Sequence, residues 1–260
     1  MNLFELRGEI SKRTSLMVEI LGLFMFLLIW FIITYFQWIP LALLPSPIKV
    51  LTSFKELHFE DALLRNAFYS IKLNYTGYLE AILIALPLGF LIGLFPLFKS
   101  LCNRYVNALR FIPLTAVTGL FIAWFGIENT MKVQFLSFGI MVYLLPVVIQ
   151  RVSEVENVYV QTVYTLGANK WQTIVSVFIP AVFSKVFDDI RVLVAISWTY
   201  IIVAELVNKN GGIGALAYTA ARQSRIDKVF AILVVIILIG FIQDKLFIWL
   251  DKKLFAYKYL

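Results

Sequence analysis

Apolar residues in this chain run in long blocks rather than alternating with polar ones, and the stretches between blocks collect proline, glycine and charge. A helix needs about 20 apolar residues to cross the hydrocarbon of a bilayer. Six such spans are predicted, near 16–38, 68–96, 105–125, 133–150, 181–206 and 229–250. A membrane barrel would require strands that alternate residue by residue, which these blocks do not, so the spans read as helices. The fold class is therefore all-α, a polytopic membrane protein of about six transmembrane helices forming one domain over 1–260. The third span carries Arg110 near its start, and the fourth is short. Between them and the fifth, Ile174 to Phe187 is apolar but interrupted by Pro180 and Lys185. It is too short to cross alone, so its first part reads as interfacial and the part after Pro180 as the start of the fifth span. Asp188 and Asp189 would then lie in the early turns of a helix, where the macrodipole favours acids.

The loops differ in pattern. Loop one, from Ile39 to Arg65, contains Leu44-Pro45-Ser46-Pro47, and its prolines predict an extended turn in place of a continuing helix. The stretch from Gln150 to Pro180 mixes apolar with polar residues: Val160, Val163 and Leu166 are three apart, and Trp171, Ile174 and Phe178 follow at three and four. That spacing predicts two short amphipathic helices separated near Gly167. A helix of this kind rests on lipid or docks into a partner.

Composition agrees with a lipid environment, since 61% of residues are hydrophobic and 15% charged, against roughly 45–50% and about 25% in soluble domains. The net charge of +7 is spread over segment ends without an aromatic-basic cluster, so no nucleic-acid partner is read from it. Most of the 23 lysines and arginines fall on the N-terminal tail (Arg7, Lys12, Arg13), the second loop (Lys99, Arg104, Arg110), the fourth loop (Arg151, Lys170, Lys185, Arg191) and the C-terminal region (Lys245, Lys252, Lys253, Lys258). By the positive-inside rule those segments are cytoplasmic. This makes 1–15, 150–180 and 251–260 cytoplasmic and places the chain in the inner membrane, with loop one outside. The basic start and apolar run from Leu16 to Phe36 resemble a signal peptide, but the run is too long and no small-residue cleavage site follows, so it is expected to remain as the first span. A lone cysteine, Cys102, and a lone histidine, His58, exclude an internal disulfide and a multi-histidine metal site.

Gln161-Thr162-Val163-Tyr164-Thr165-Leu166-Gly167, then nine residues, then Val177-Phe178-Ile179-Pro180, resembles the cytoplasmic signature of bacterial ABC-importer permeases. That signature has Glu-Ala-Ala, three residues, a glycine, nine residues and Ile-x-Leu-Pro. The chain departs from it at Gln161, where the acid is usual, and at Thr162-Val163, which replace two alanines. Leu44-Pro45-Ser46-Pro47, Arg110-Phe111-Ile112-Pro113, Trp124-Phe125-Gly126-Ile127, Leu166-Gly167-Ala168-Asn169-Lys170-Trp171, Val203-Ala204-Glu205-Leu206 and Gly211-Gly212-Ile213-Gly214 are similar, in order and spacing, to the nitrate, sulfonate and taurine importer group. The resemblance implies a homodimer of six-span subunits, two cytoplasmic ATPases carrying ATP and Mg, an external solute-binding protein and a small anion as solute. On that reading Gln161, Thr165, Leu166, Gly167, Ala168, Trp171 and Pro180 form the ATPase-coupling loop. The chain itself lacks a Gly-x-x-x-x-Gly-Lys-Ser/Thr phosphate loop, so ATP is expected on another polypeptide, and no cofactor or catalytic residue is expected here.

Ionisable groups within lipid are candidates for function. Glu80 lies in the second span, with Lys72 two turns earlier on roughly the same face. Glu80 is read either as a hydrogen bond that locks helix packing or as a pathway contact, and Lys72 as snorkelling outward. Glu205, near the outer end of the fifth span, either accepts hydrogen bonds from the Gly211-Gly212 turn or is solvated. Phe121 and Trp124 in the third span, and Ser197 and Trp198 in the fifth, are candidates for lining a pathway. Arg222, Arg225 and Asp227 form a charged outer loop where a binding protein could land. The competing reading is an ion-coupled secondary transporter that uses Glu80, although no internal repeat of the type usual in such proteins is visible. An intramembrane enzyme is excluded by geometry, because Asp188 and Asp189 point about 100° apart and His58 lies in the outer loop.

Overall fold

The computed structural model describes residues 10–207 and 210–259, so Arg7 and the rest of the predicted N-terminal segment before residue 10 lie outside the described residues, as does Leu260. Every regular element among the described residues is helical. In chain order they are α1 (Lys12–Tyr35), α2 (Pro47–Phe59), α3 (Leu63–Leu94), α4 (Pro96–Leu109), α5 (Thr118–Phe125), α6 (Asn129–Ser153), α7 (Asn157–Thr165), α8 (Lys170–Thr173), α9 (Ile179–Val207), α10 (Ile213–Arg222) and α11 (Ile226–Leu254). Among the described residues five helical stretches are long and apolar enough to cross a membrane, and a sixth exists if one bent pair counts as a span.

That bent pair corrects the predicted third span. The stretch 105–125 is not one helix: α4 ends at Leu109, and after Pro113 a 3-10 turn (Leu114–Val117) leads into α5 at a 93° bend. Pro113 supplies no backbone N–H, and the pyrrolidine ring excludes helical geometry for the residue before it. Loop one is also corrected, since it contains α2. Ser46 is extended and its side chain accepts from the Lys49 N–H at 3.3 Å, while Pro47 opens the helix at its first turn, where a missing donor is harmless. The prolines end one segment and begin the next.

The fifth span is longer than predicted. α8, a π turn (Ile174–Phe178) and α9 form one continuous helical stretch, Lys170–Val207. Pro180 therefore does not separate an interfacial helix from a span. The Ile179 N–H bonds to the Ile174 carbonyl, an i→i−5 bond, and this wider turn just before Pro180 accommodates a ring that would clash in a regular helix. Asp188 and Asp189 consequently sit well inside a helix, and the macrodipole cannot account for them. Ion pairs do: Arg151 is bidentate to Asp189 at 2.7 and 2.8 Å, and Lys258 reaches Asp188 at 2.9 Å.

The chain divides into two compact units, one of Leu63–Tyr218 with Val234–Leu260 and one of Met1–Ala62 with Thr219–Leu233. In the larger unit, α3 and α6 run parallel and in close contact, because α3 turns Gly77, Ala81, Ala85, Gly89 and Gly93 toward α6 at every fourth position. Small residues at this spacing let helix backbones approach without cavities. A Cβ at Gly89 would come within 2.5 Å of Val148, and one at Gly93 within 2.8 Å of Val152. α9 packs antiparallel to both, with Tyr78 donating to the Ile190 carbonyl at 2.5 Å. An aromatic cluster of Phe121 and Phe135, with Leu114, Met131 and Ala204, joins α5, α6 and α9.

In the smaller unit, Trp30 of α1 donates to the Pro45 carbonyl at 3.1 Å and stacks near Phe230 at 5.8 Å. The charged loop residues read as a landing surface are engaged internally. Arg225 bridges Glu56 at 2.8 Å and Asp227 at 2.9 Å, and Lys228 pairs with Asp61 at 2.6 Å, while Arg222 is exposed.

Candidate functional site

α7 buries none of its residues. A helix of nine residues is marginal in water unless something fixes its ends or covers a face. Here the C-terminal end is fixed, while Glu156 at the N-terminal end makes no side-chain cap bond. Gly167 has φ +82°, its N–H bonds to the Tyr164 carbonyl at 3.0 Å, and the Ala168 N–H bonds to the Val163 carbonyl at 3.0 Å. Those paired bonds around a left-handed glycine are a Schellman stop. Two residues later Asn169 and Gln172 exchange side-chain to backbone bonds at 2.8 and 2.9 Å, a complete capping box that starts α8. Nothing lies within 4 Å of where a Cβ on Gly167 would sit, so the glycine is required by backbone conformation and not by space.

The tip between these caps carries apolar side chains outward. Leu166 is 81% exposed and Trp171 is 70% exposed, and Gln161 and Thr165 are exposed on α7. Thr165 bonds only within its helix, to the Thr162 carbonyl. Ala168 is half-buried in the turn. Pro180 lies at the base of the loop, where its carbonyl accepts from the Tyr257 hydroxyl at 3.0 Å. The predicted coupling residues thus form a protruding turn (161–171), with Pro180 at its root. Behind α7, a cavity of about 290 Å³ is lined by Val160, Tyr164, Phe95 and Ile174, among others.

The base is stiff. Arg151, at the end of α6, holds Asp189 of α9 and also Glu154 at 2.8 Å. Lys185 of α9 approaches Glu154 at 3.8 Å, and Lys258 joins Asp188 to Asp251. The Arg151 guanidinium, followed by Gln150, holds the Glu154 carboxyl below its ordinary value of 4.5. Displacement of the loop would therefore be carried to α6 and α9 together.

At the opposite end of the same unit, Glu205 is fully buried, so the solvated alternative does not hold. Its carboxylate accepts from Ser70 at 2.5 Å and from the Gly214 N–H at 2.7 Å. The bond to the glycine turn is present, but it comes from Gly214 and not from Gly211 or Gly212. The Gly212 N–H instead bonds to Asn66 at 2.9 Å, and a Cβ at Gly212 would overlap the Glu205 carboxyl. Ser70 also accepts from the Ile213 N–H at 2.8 Å. Lys132, fully buried nearby, lies 3.4 Å from the Tyr69 hydroxyl and 5.3 Å over its ring.

Among the pathway candidates Phe121 and Trp124 are in ring contact at 5.9 Å, and the others have separate partners. Glu80 accepts from Gln134 at 2.8 Å between α3 and α6, and Lys72 points out, exposed. Ser197 bonds back to the Val194 carbonyl, Trp198 donates to Gln243 at 2.7 Å, and Phe121 is in the aromatic cluster, while Trp124 is 66% exposed. Sequence reasoning missed Ser70, Asn66, Lys132 and the Arg151–Asp189 pair. Lys132 carried a signal, being a cation among apolar residues of a span; the partners of Glu205 and Asp189 are distant in sequence and carried none.

Five or six helical stretches of spanning length among the described residues define a polytopic helical membrane protein. The chain is a member of the family of binding-protein-dependent transport system inner membrane components, whose profile matches residues 85–256, and it is accordingly a multi-pass membrane permease subunit of the ABC importer type. It is 32% identical to a putative ABC transporter permease protein of Methanocaldococcus jannaschii, covering 76% of this chain and 74% of that protein. It is 28% identical to the putative aliphatic sulfonates transport permease protein SsuC of Bacillus subtilis (88% and 83% covered) and 25% identical to the taurine transport system permease protein TauC of Escherichia coli (92% and 88% covered). In fold it resembles a chain of the inward-facing MetNI methionine ABC transporter, with a TM-score of 0.63 and 15% identity over 74% of this chain and 95% of that one.

Proposed function

We propose that this chain forms half of the translocation pathway of an ATP-driven importer for a small anion and takes its driving force from a separate cytoplasmic ATPase through α7 and the turn after it. The observation that carries the reading is α7 with the turn after it: the helix is capped at its C-terminal end, none of its residues is fully buried, and Leu166 and Trp171 beyond it are exposed. Apolar side chains held out on a rigid turn fit a groove on a partner. The stiff base then converts movement of that partner into movement of α6 and α9. The family supports ATPase and solute-binding-protein partners; on this reading the ATPases are two, they hold the ATP and Mg, and a second copy of this permease completes the pathway. The positive-inside pattern supports cytoplasmic termini and a cytoplasmic α7–α8 loop. Relatives named for aliphatic sulfonates and taurine support an anionic or zwitterionic solute. The alternative of ion coupling through Glu80 is not favoured, because that carboxylate is occupied by Gln134.

The test replaces Gly167 with valine. A β-branched residue at φ +82° is strained by about 1–2 kcal/mol, and the turn should reorganise without touching the packed core. Membrane insertion and the thermal midpoint of the purified chain should stay as in the parent, while co-purification of the ATPase and solute uptake are lost. Full uptake by the variant would overturn docking through this loop.

A further inference from the structure

One cleft in the larger unit combines a basic, amide-bearing wall with an apolar one. It has a volume of about 390 Å³, within the usual range of small-molecule sites of about 300–1,000 Å³. Its polar wall is made by α4, where Lys99, Asn103, Asn107 and Arg110 recur at four, four and three residues and so share one helical face. Tyr143 and Gln150 of α6 face them across the cleft. Pro146, Val147 and Leu193 supply an apolar side.

The charge balance points to the ligand. No carboxylate lines the cleft. Neither Lys99 nor Arg110 forms an ion pair with a described carboxylate: Lys99 donates to the Ser153 hydroxyl at 2.8 Å, and Arg110 lies over the Phe111 ring at 5.6 Å. Arg151, Arg191 and Lys258 of the same unit pair with described acids, whereas Lys72 and Arg104, like the two cleft cations, do not. Two cations facing one cleft with no carboxylate among its lining residues leave it positive, which favours an anion there. The asparagines add donors that a carboxylate-lined site would not need. Asn107 donates to Asn103, so these amides hold each other in place.

We infer that this cleft is a solute-contacting site for a small organic anion, with Arg110 and Lys99 taking the anionic head, the asparagine amides donating beside them, and the face of Pro146, Val147 and Leu193 taking a short apolar tail. The inference rests on the importer reading above and gives it a place in the chain. A tetrahedral sulfonate offers three acceptor oxygens, which suits a guanidinium and an ammonium arriving from different turns of one helix. The apolar side distinguishes this site from one built for an inorganic oxyanion, which has no tail to place there.

The probe is ethanesulfonate, with sulfate and the uncharged dimethyl sulfone as comparisons. Binding to the purified full chain in lipid nanodiscs would be followed by saturation-transfer NMR. Ethanesulfonate is expected to bind saturably, sulfate more weakly and dimethyl sulfone not at all. Arg110→Gln should weaken ethanesulfonate about ten- to a hundred-fold, the loss of one charge-assisted contact, and Lys99→Gln somewhat less. Both variants should keep the parent's thermal midpoint and its co-purifying ATPase, which reads the importer assignment separately. Equal binding by parent and both variants, absence of saturable binding by the parent, or equal binding of the sulfone would overturn the site. Loss of ATPase co-purification from the parent itself would overturn the importer reading while leaving the binding result to stand.

Discussion

The two ends of the larger unit handle their difficult groups in opposite ways. At the Glu205 end, polar atoms are buried and satisfied from within the chain: a carboxylate, a serine hydroxyl and backbone N–H groups from the Gly212–Gly214 turn close on one another. At the α7–α8 end, charges are paired at the base, but apolar side chains are held out on a turn whose own hydrogen bonds are complete. Burying unsatisfied polar groups is expensive, so the first end is self-sufficient by necessity. Holding Leu166 and Trp171 in the open gives the isolated chain nothing, so the second end is complete only with something against it. Internal stability and external function are thereby separated along one set of helices.

Substitutions can break that contrast, and the largest effect belongs to the self-sufficient end. Glu205→Ala leaves the Gly214 N–H and the Ser70 hydroxyl without their acceptor in a buried place, at about 1–3 kcal/mol each. Thermal unfolding in detergent should show a loss of about 3 kcal/mol or more, and Glu205→Gln should lose less because one acceptor oxygen remains. Next comes Arg151→Met, which strands Asp189 in a partly buried position and should cost about 1–3 kcal/mol. Arg151→Lys should restore only part of this, since an ammonium cannot make the bidentate contact. Leu166→Asp should sit at the other extreme, changing stability by less than about 0.5 kcal/mol because the side chain touches little, yet abolishing co-purification of the ATPase. If Leu166→Asp destabilised the chain as much as Glu205→Ala, the contrast between the ends would be lost.

The smallest effect is a pH dependence. Because Arg151 and Gln150 hold the Glu154 carboxyl below 4.5, its stabilising contribution is fully present above about pH 4.5 and is lost as pH falls through the lower, folded value. Comparing acid-side melting curves of the parent and Glu154→Gln should show the parent losing a small increment of stability that the variant does not have to lose.

Much of this contrast was legible before any coordinates. The three-residue spacing of Val160, Val163 and Leu166, and Gly167 after them, placed α7 and the turn correctly, because caps and amphipathic periodicity are local signals, whereas the expected second short helix is the start of the continuous stretch Lys170–Val207. Glu205 was matched to the glycine turn, although the donor proved to be Gly214. What failed depended on proline context or distance. Pro47 starts a helix, Pro113 breaks one and Pro180 sits within one, and only neighbouring backbone geometry separates these outcomes. Asp189 gave no hint of Arg151, 38 residues away. The basic and amide residues of α4 read as charges at a segment end, since their shared face becomes visible only once the helix from Pro96 to Leu109 is known. The small-residue stripe of α3 could have been read from its four-residue period and was not.

If the α7–α8 turn seats in a nucleotide-hydrolysing partner, a single cysteine placed at its tip will report that contact. In a Cys102→Ser background, Leu166→Cys carrying a photoactivatable crosslinker should be irradiated in native membranes and the adduct identified by mass spectrometry. One dominant adduct is expected, to a subunit with a phosphate-binding loop, together with protection of the cysteine from an impermeant maleimide added to intact cells. Labelling from outside the cell, or adducts to lipid alone, would contradict it.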